Sequence, residues 1–309
     1  MNRIAGIVFA AVGFVLALLS IAGVVPGLTQ AGVLMIIGGA LIIGLSFISR
    51  PTTDGEERMS TASTIVNIFF SPGEVFKNLR RHPRWLVAVL ITVVLSATYN
   101  NLFMQRLGPD RVTNFAIDKT LEMSMIANNE EAKKNIESGR AKAVRDASDP
   151  LQRNIQITTT FVGYLFVMAL LALIFLLFAL AMGGKINFFQ ALSVAAYAWL
   201  PYGIIRFVLN TVVLYLKDPS DIHPILGQQS LIQDNFGFLV TPSEHPVIYT
   251  ILATFSILTI YWVVLNSIGL KNAGEKVSGT IAWTASIAIF AVILFLGLVS
   301  SVFFPSFIS

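Results

Sequence analysis

Cationic side chains are the residues of this chain whose type and position could do chemistry. Arg206 stands inside the apolar run 195–210. Four further cations cluster just ahead of another apolar run: Lys77, Arg80, Arg81 and Arg84. Guanidinium and ammonium groups bind phosphate and carboxylate oxygens through charge-assisted hydrogen bonds. We therefore take these residues as candidates for binding membrane lipids, anionic ones above all, or protein partners.

Residues that catalyse reactions or hold metals are not grouped in the sequence. It has no cysteine, which excludes thiol catalysis and thiolate ligands. Its histidines each precede a proline and form no metal-binding spacing: His82, His223 and His245. No phosphate-binding glycine loop and no nucleophile elbow occurs. We expect no enzymatic activity, no cofactor and no metal.

The composition is that of a membrane protein. Hydrophobic residues make up 55 % of the 309 residues and charged residues 12 %, against about 25 % charged in soluble domains. The net charge of +4 is too small to suggest nucleic acid as a partner. In a membrane protein such an excess reflects the lysines and arginines that set orientation.

Seven apolar runs are long enough to cross a membrane. A helix needs about 20 mainly apolar residues to cross about 30 Å of hydrocarbon. Runs of this length without period-two alternation do not resemble barrel strands. The predicted spans are residues 4–25, 29–48, 85–105, 158–182, 189–216, 247–270 and 280–304. The sequence therefore predicts an all-α polytopic membrane protein with about seven transmembrane helices.

Changes in composition divide the chain into three predicted segments. Residues 1–50 predict an N-terminal transmembrane hairpin, and an alternative interpretation makes residues 1–22 a cleaved signal peptide. Residues 51–84 predict a polar linker followed by a basic amphipathic surface helix. Residues 85–309 predict a five-span core, interrupted at 106–157 by an extramembrane helical hairpin. Small residues predict close packing of the first two spans: Gly6, Gly13, Ala40 and Gly44.

The segment ahead of the third span predicts a capped helix. Ser71 stands at the N-cap, Pro72 in the first turn and Glu74 at the capping-box position. Phe70 and Val75 stand where a hydrophobic staple would form. Two interpretations stay open for this helix. Either it lies on the membrane with its cations on anionic headgroups, or it packs on protein and its cations only set topology.

Arg206 has no carboxylate partner at its own depth, because no predicted span contains Asp or Glu. Three solutions stay open. Arg206 snorkels outward, or it binds a lipid phosphate, or it donates to carbonyls freed by Pro201 or to Asn210, Tyr202 or Asn266. Pro201 removes a backbone hydrogen bond and predicts a kink. Since no buried acid would be stranded, we expect Arg206→Leu to leave folding largely intact.

Three motifs, in this order, resemble the YIP1 (Yip1 domain) family. IFFSPGEVFKNLRRHPRW at 68–85 resembles its opening, Phe-x-Pro-x-x-x-Phe and a basic stretch before a span. Gly183-Gly184 and then ALSVAAYAWLP at 191–201 resemble its third core span. IYWVVLNSIGLKNAGEKVSGTIAW at 260–283 is similar to its aromatic–Leu–Gly-Leu pattern. The resemblance covers about residues 65–309. Where relatives often carry an acid early in the fourth core span, this chain has Ser256.

The resemblance implies a five-span membrane domain and a non-enzymatic scaffold or adaptor that engages protein partners or anionic lipid in membrane organisation or trafficking. Eukaryotic relatives are associated with small GTPases, whereas the prokaryotic type, which this chain resembles, has no clear role. We expect a bacterial cytoplasmic membrane, with the N-terminus cytoplasmic and the C-terminus outside. The alternative is a permease or lipid-handling protein with a path near Pro201 and Arg206. A cavity beside Arg206 would favour the alternative, and a packed bundle the scaffold.

Overall fold

The protein is described by a computed structural model that covers residues 2–22, 29–47 and 57–307. Its regular structure within these ranges is entirely helical. The α-helices are α1 (Asn2–Ile21), α2 (Thr29–Phe47), α3 (Thr61–Phe70), α4 (Pro72–Arg81), α5 (Leu86–Leu107), α6 (Pro109–Leu121), α7 (Ser124–Ala127), α8 (Glu130–Ser148), α9 (Pro150–Ala181), α10 (Phe188–Leu216), α11 (Leu226–Gln229), α12 (Pro246–Thr254), α13 (Ile257–Ala273) and α14 (Gly279–Phe303). The all-α prediction is confirmed.

Four helices of the described chain are long and apolar enough to cross a membrane: α5, the Thr159–Ala181 part of α9, α10 and α14. A fifth span is formed if α12 and α13 are taken together, although they bend by 50° at a break. The described apolar stretches of α1 and α2, Gly6–Ile21 and Gly32–Gly44, are shorter. The predicted count of seven spans is therefore not confirmed, whereas a multi-pass membrane protein is.

The predicted span 247–270 is broken because its second half has caps of its own. The Ser256 hydroxyl accepts a hydrogen bond from the Thr259 amide at 3.0 Å. Asp234 accepts from the Ile257 amide through its backbone carbonyl and from the Leu258 amide through Oδ2, both at 3.0 Å. These acceptors satisfy amides that a continuous helix would bond internally. A loop carboxylate thus fixes the start of α13.

The described helices form two compact units, which cut across the three predicted segments. The first unit comprises Met1–Val93, Leu151–Leu200 and Asn266–Ala285. In it α1 and α2 pack backbone to backbone. A β-carbon added to Gly13 would lie 2.6 Å from the Gly32 carbonyl oxygen, and one added to Gly39 would lie 2.6 Å from the Ala10 β-carbon.

The predicted close packing of α1 and α2 is confirmed, with a correction to its residues. Gly6 and Gly13 of α1 lie in the contact as predicted. On α2 the contact is made by Gly32 and Gly39, while Gly44 has open space around it. The predicted residues on α2, Ala40 and Gly44, therefore do not form the packed face; the glycine that does, Gly39, precedes Ala40 by one position. The predicted turn at residues 25–27 lies outside the described residues.

The predicted surface helix is two helices, α3 and α4, that meet at Ser71. The Ser71 side chain makes no capping hydrogen bond, since Ser71 also ends α3 and its amide donates to the Asn67 carbonyl. Glu74 pairs instead with Lys77 at 2.8 Å. Phe70 is 80 % exposed while Val75 is fully buried, so no staple forms. The predicted capping box and staple are therefore wrong, although Pro72 begins α4 as predicted.

The second unit comprises Val94–Pro150, Pro201–Leu265 and Ser286–Ser309. One of its buried apolar clusters joins α5, α6, α10 and the segment after α10: Tyr99, Phe103, Leu107, Val112, Leu214, Ile222 and Leu231. Outside the apolar spans, α6 packs against α8. Arg140 of α8 binds Asp118 of α6 at 2.7 Å and Glu137 at 2.9 Å. These hydrogen bonds raise the pKa of Arg140 and tie the two helices together.

Candidate functional site

Arg206 holds the segment that follows its own helix. Its guanidinium donates to the Tyr202 hydroxyl and, through Nη2, to the Gln229 carbonyl at 2.7 Å. Tyr202 was one of the predicted partners. The Gln229 carbonyl was not predicted, because it belongs to a loop and not to the backbone freed by Pro201. Residue Pro201 itself lies inside α10, which stays helical from Phe188 to Leu216.

The loop at 217–246 is held by polar side chains of the helices. Asn210, only 2 % exposed, accepts hydrogen bonds from the Leu231 amide at 2.9 Å and the Ile232 amide at 3.2 Å. The Tyr99 hydroxyl donates to the Gly227 carbonyl at 2.7 Å. Arg111 donates to three further loop carbonyls, those of Pro219, Ser220 and Ile222. The loop therefore has a fixed structure.

A large open cavity lies beside Arg206. Its volume is about 1180 Å³, and the 217–246 loop, α12 and the end of α14 form most of its wall. The charged lining consists of Arg206, Lys217 and Asp221, with His223 beside them. The Nδ1 atom of His223 accepts from two backbone amides at the start of α11, which assigns this histidine a structural part.

Part of the cavity lining is apolar. It includes Phe238, Leu239, Phe304 and Phe307. Phe238 and Leu239 are 61 % and 65 % exposed. The α14 and α12 helices approach closely here, since a β-carbon on Gly297 would lie 3.2 Å from Thr250. A cavity lined by both cationic and apolar side chains offers contacts to a polar part and to an apolar part of one ligand.

A second, smaller cavity brings an acid close to Arg206. It has a volume of about 80 Å³, and its lining includes Arg206, Tyr202, Asp234 and Ser256. This is room for about two water molecules. The predicted spans contain no acid, but Asp234 of the 217–246 loop lines the same small cavity as Arg206 and Ser256.

Three of the cations at residues 77–84, namely Lys77, Arg80 and Arg81, lie on α4, whose apolar face is covered by protein. Val75, Phe76 and Leu79 are fully buried. The Phe76 ring lies against the backbone of Gly269 and close to Val194. The interpretation that this helix packs on protein is therefore confirmed for its apolar face. Its cations remain at least partly exposed: Lys77, Arg80 and Arg81.

Arg84 is the most enclosed member of this basic group. Its Nη2 donates to the Thr64 hydroxyl of α3 at 2.9 Å. Burial lowers the pKa of Arg84, and the positive charge of Arg58 lowers it further. Burial also lowers the pKa of His82, followed by the charges of Arg58, Arg84 and Arg81. Positive charge is thus concentrated at this end of the first unit.

Sequence analysis missed several residues of these sites. Asp234 and Tyr99 gave no signal, because each acts on a residue more than twenty positions away. Asn210 was predicted as a possible partner of Arg206, whereas in the structure it accepts from the Leu231 and Ile232 amides. No group of three or more His, Cys, Asp or Glu that could hold a metal occurs within residues 2–22, 29–47 and 57–307.

The helices and sites define a polytopic helical membrane protein with a cavity of about 1180 Å³ and a basic surface. The family model described as the Yip1 domain matches residues 66–301, and the chain belongs to this family. Neither a curated protein nor a solved structure matches it. Residues from the three family motifs meet in the first unit, where Phe76, Val194 and Gly269 are in contact.

Proposed function

We propose that this Yip1-domain protein is a non-enzymatic lipid-binding membrane protein that holds one phospholipid in the cavity beside Arg206. The observation that carries this proposal is the cavity itself. At about 1180 Å³ it exceeds the usual 300–1,000 Å³ of small-molecule sites. A packed bundle at this position would instead have favoured a purely structural scaffold.

The wall chemistry supports a phosphate headgroup. Arg206 and Lys217 outnumber the single lining carboxylate, Asp221. A guanidinium has five N–H donors, and two hydrogen bonds of Arg206 engage described residues. Its remaining donors suit phosphate oxygens, while the acyl chains lie along Phe238 and Phe304. A lipid phosphate also offsets the cost of a charge at membrane depth.

Lipid retained by the purified full-length protein tests the proposal. Native mass spectrometry would count bound phospholipid in the wild type and in the Arg206→Gln and Lys217→Gln variants. Loss of one charge-assisted hydrogen bond corresponds to about 10-fold weaker binding. Lys142→Gln on α8 is the matched control, because Lys142 is exposed and lies outside the cavity lining. Equal lipid occupancy in all four proteins would overturn the proposal.

A second candidate function is the scaffold or adaptor. It is favoured by the α6–α8 hairpin, which carries exposed charged faces and a 70 % exposed Met125. Cross-linking in native membranes, followed by purification, tests it. A defined partner that is lost when the exposed residues Met125 and Lys142 are both replaced would favour the scaffold. Cross-links to lipid alone would favour the lipid-binding function.

We also propose that the N-terminus is cytoplasmic, in a bacterial cytoplasmic membrane. The clustering of Arg80, Arg81 and Arg84 directly before α5 supports this orientation. The chain has no cysteine, so single-cysteine labelling is direct. Glu57→Cys is expected to react with an impermeant maleimide only from the cytoplasmic side, and Ser138→Cys only from the outside. Labelling of both from the same side would exclude this topology.

A further inference from the structure

We propose that Arg84, with Arg58 beside it, binds the phosphate group of an anionic lipid at the membrane surface next to α3. This site is separate from the cavity at Arg206, and its argument uses only residues of the first unit. It rests on the position of Arg84, on buried donors without an acceptor, and on an exposed apolar stripe beside the cations.

The guanidinium of Arg84 is fixed in position, but not all of its N–H donors have an acceptor among the described residues. Its hydrogen bond to Thr64 fixes the guanidinium, since Thr64 is 1 % exposed on the inner side of α3. The Nε atom of Arg84 is buried and has no acceptor among the described residues. An N–H donor of arginine can be satisfied only by an acceptor oxygen, because the guanidinium has no acceptor of its own.

Tyr197 adds a second unsatisfied donor. It is fully buried on α10, and its hydroxyl has no hydrogen-bond partner in the described part of the chain. The hydroxyl lies within electrostatic range of both Arg84 and Arg58. A buried hydroxyl without a partner costs free energy, so a phosphate oxygen that accepts from it is favoured.

Within the described residues, the positive charge of Arg58 and Arg84 is not balanced by an ion pair. Arg58 and Arg84 take part in no salt bridge with any described residue. Among the described acids of residues 57–84, Glu74 is paired with Lys77, and Glu57 is exposed. An anion at Arg84 would therefore relieve repulsion among the clustered cations.

The surface beside this site is suited to a membrane and not to a free anion. Ala62, Val66 and Phe70 are exposed on α3 at a spacing of four residues, which places them on one helix face. Val66 is 55 % and Phe70 80 % exposed. Arg58 lies just before α3 and Arg84 just after α4, so the two cations flank the packed helix pair that carries this stripe. Apolar insertion next to headgroup cations is the chemistry of an anionic lipid surface.

Binding of short-chain lipids to the full-length protein in neutral detergent tests the site. The probes are dihexanoyl phosphatidylglycerol, dihexanoyl phosphatidylcholine and inorganic phosphate. We expect phosphatidylglycerol to bind at least 10-fold more tightly than the other two probes. Arg84→Gln is expected to weaken its binding about 10-fold and Tyr197→Phe about threefold. Lys134→Gln on α8 provides the control, because Lys134 is exposed and lies in the second unit, and it is expected to leave binding unchanged.

The outcomes separate the possible ligands and sites. Equal affinity for phosphatidylglycerol and phosphatidylcholine, or equal losses in Arg84→Gln and Lys134→Gln, would overturn the site. Inorganic phosphate that binds as tightly as phosphatidylglycerol would overturn the lipid assignment. Tyr197→Phe retains the ring, so we expect this variant to fold even if Arg84→Gln does not. Unchanged binding of phosphatidylglycerol by Tyr197→Phe would show that the Tyr197 hydroxyl does not bind the phosphate. Arg206→Gln weakens binding in the cavity, so the phosphatidylglycerol binding that this variant is expected to retain reports the site at Arg84 alone.

Discussion

The backbone of Gly269 in α13 lies against the ring of Phe76 in α4. A β-carbon at Gly269 would come within 3.1 Å of two Phe76 ring atoms and within 2.7 Å of Val194 Cγ1. Phe76 and Val194 are fully buried. The phenylalanine of the first family motif thus fits only because the third motif has glycine at this position.

Gly269→Ala is expected to destabilise the protein. Overpacking costs about 1–3 kcal/mol, and a gain in helix propensity of about 1 kcal/mol offsets part of this. Gly163→Ala in α9 is the matched control, because a β-carbon there would meet open space. Thermal unfolding in detergent should show a lower Tm for Gly269→Ala and an equal or higher Tm for Gly163→Ala. An unchanged Tm for Gly269→Ala would contradict the close contact.

Asn210→Leu is expected to destabilise the loop more than Arg206→Leu does. Asn210 is buried and accepts from two loop amides, and each amide left without an acceptor costs about 1–3 kcal/mol. Arg206→Leu removes a bond to an exposed carbonyl, which is worth about 1 kcal/mol. The rate of proteolytic cleavage within the 217–246 loop would show directly which of the two variants destabilises the loop more. Faster cleavage in Arg206→Leu would reverse our assignment of the main loop contact.

The folded protein is expected to lose stability as the pH falls below 6.5, the ordinary pKa of histidine. The pKa of His82 is lowered by burial and by Arg58, Arg84 and Arg81. Between the folded pKa and 6.5, the unfolded state binds more protons at this residue, so a fall in pH favours unfolding. His82→Gln should reduce the fall in Tm between pH 7.5 and 5.5. An identical pH profile in the variant would show that His82 does not contribute.

Gly39→Val is expected to separate α1 from α2, whereas Gly44→Val is not. A β-carbon at Gly39 would lie 2.6 Å from both the amide nitrogen and the β-carbon of Ala10, while Gly44 has open space around it. Limited proteolysis between the two helices, or cross-linking across them, would detect the separation. The same result for both variants would mean that the packed face of α2 has been assigned wrongly.

The helical membrane fold and the family were predictable from sequence, but several contacts were not. Hydropathy over about 20 residues is a local property, so α5, α9, α10 and α14 were found. The break before α13 was missed, because its cap comes from Asp234 in a distant loop. The packed residues of α2 were misplaced by one position, since one residue turns the helix face by about 100°.

The sequence by itself determined that the apolar helices of this chain lie in lipid and span the membrane. It also determined that Arg206 and the cations at 77–84 are candidate anion-binding groups. Only the tertiary structure decided that Gln229 accepts from Arg206, that Asp234 faces the same small cavity, and that α4 buries its apolar face on Gly269. The physical reason is the separation along the chain over which each property is determined. Burial preference is encoded along the chain, whereas the pairing of polar atoms depends on which distant segments the folded backbone brings together.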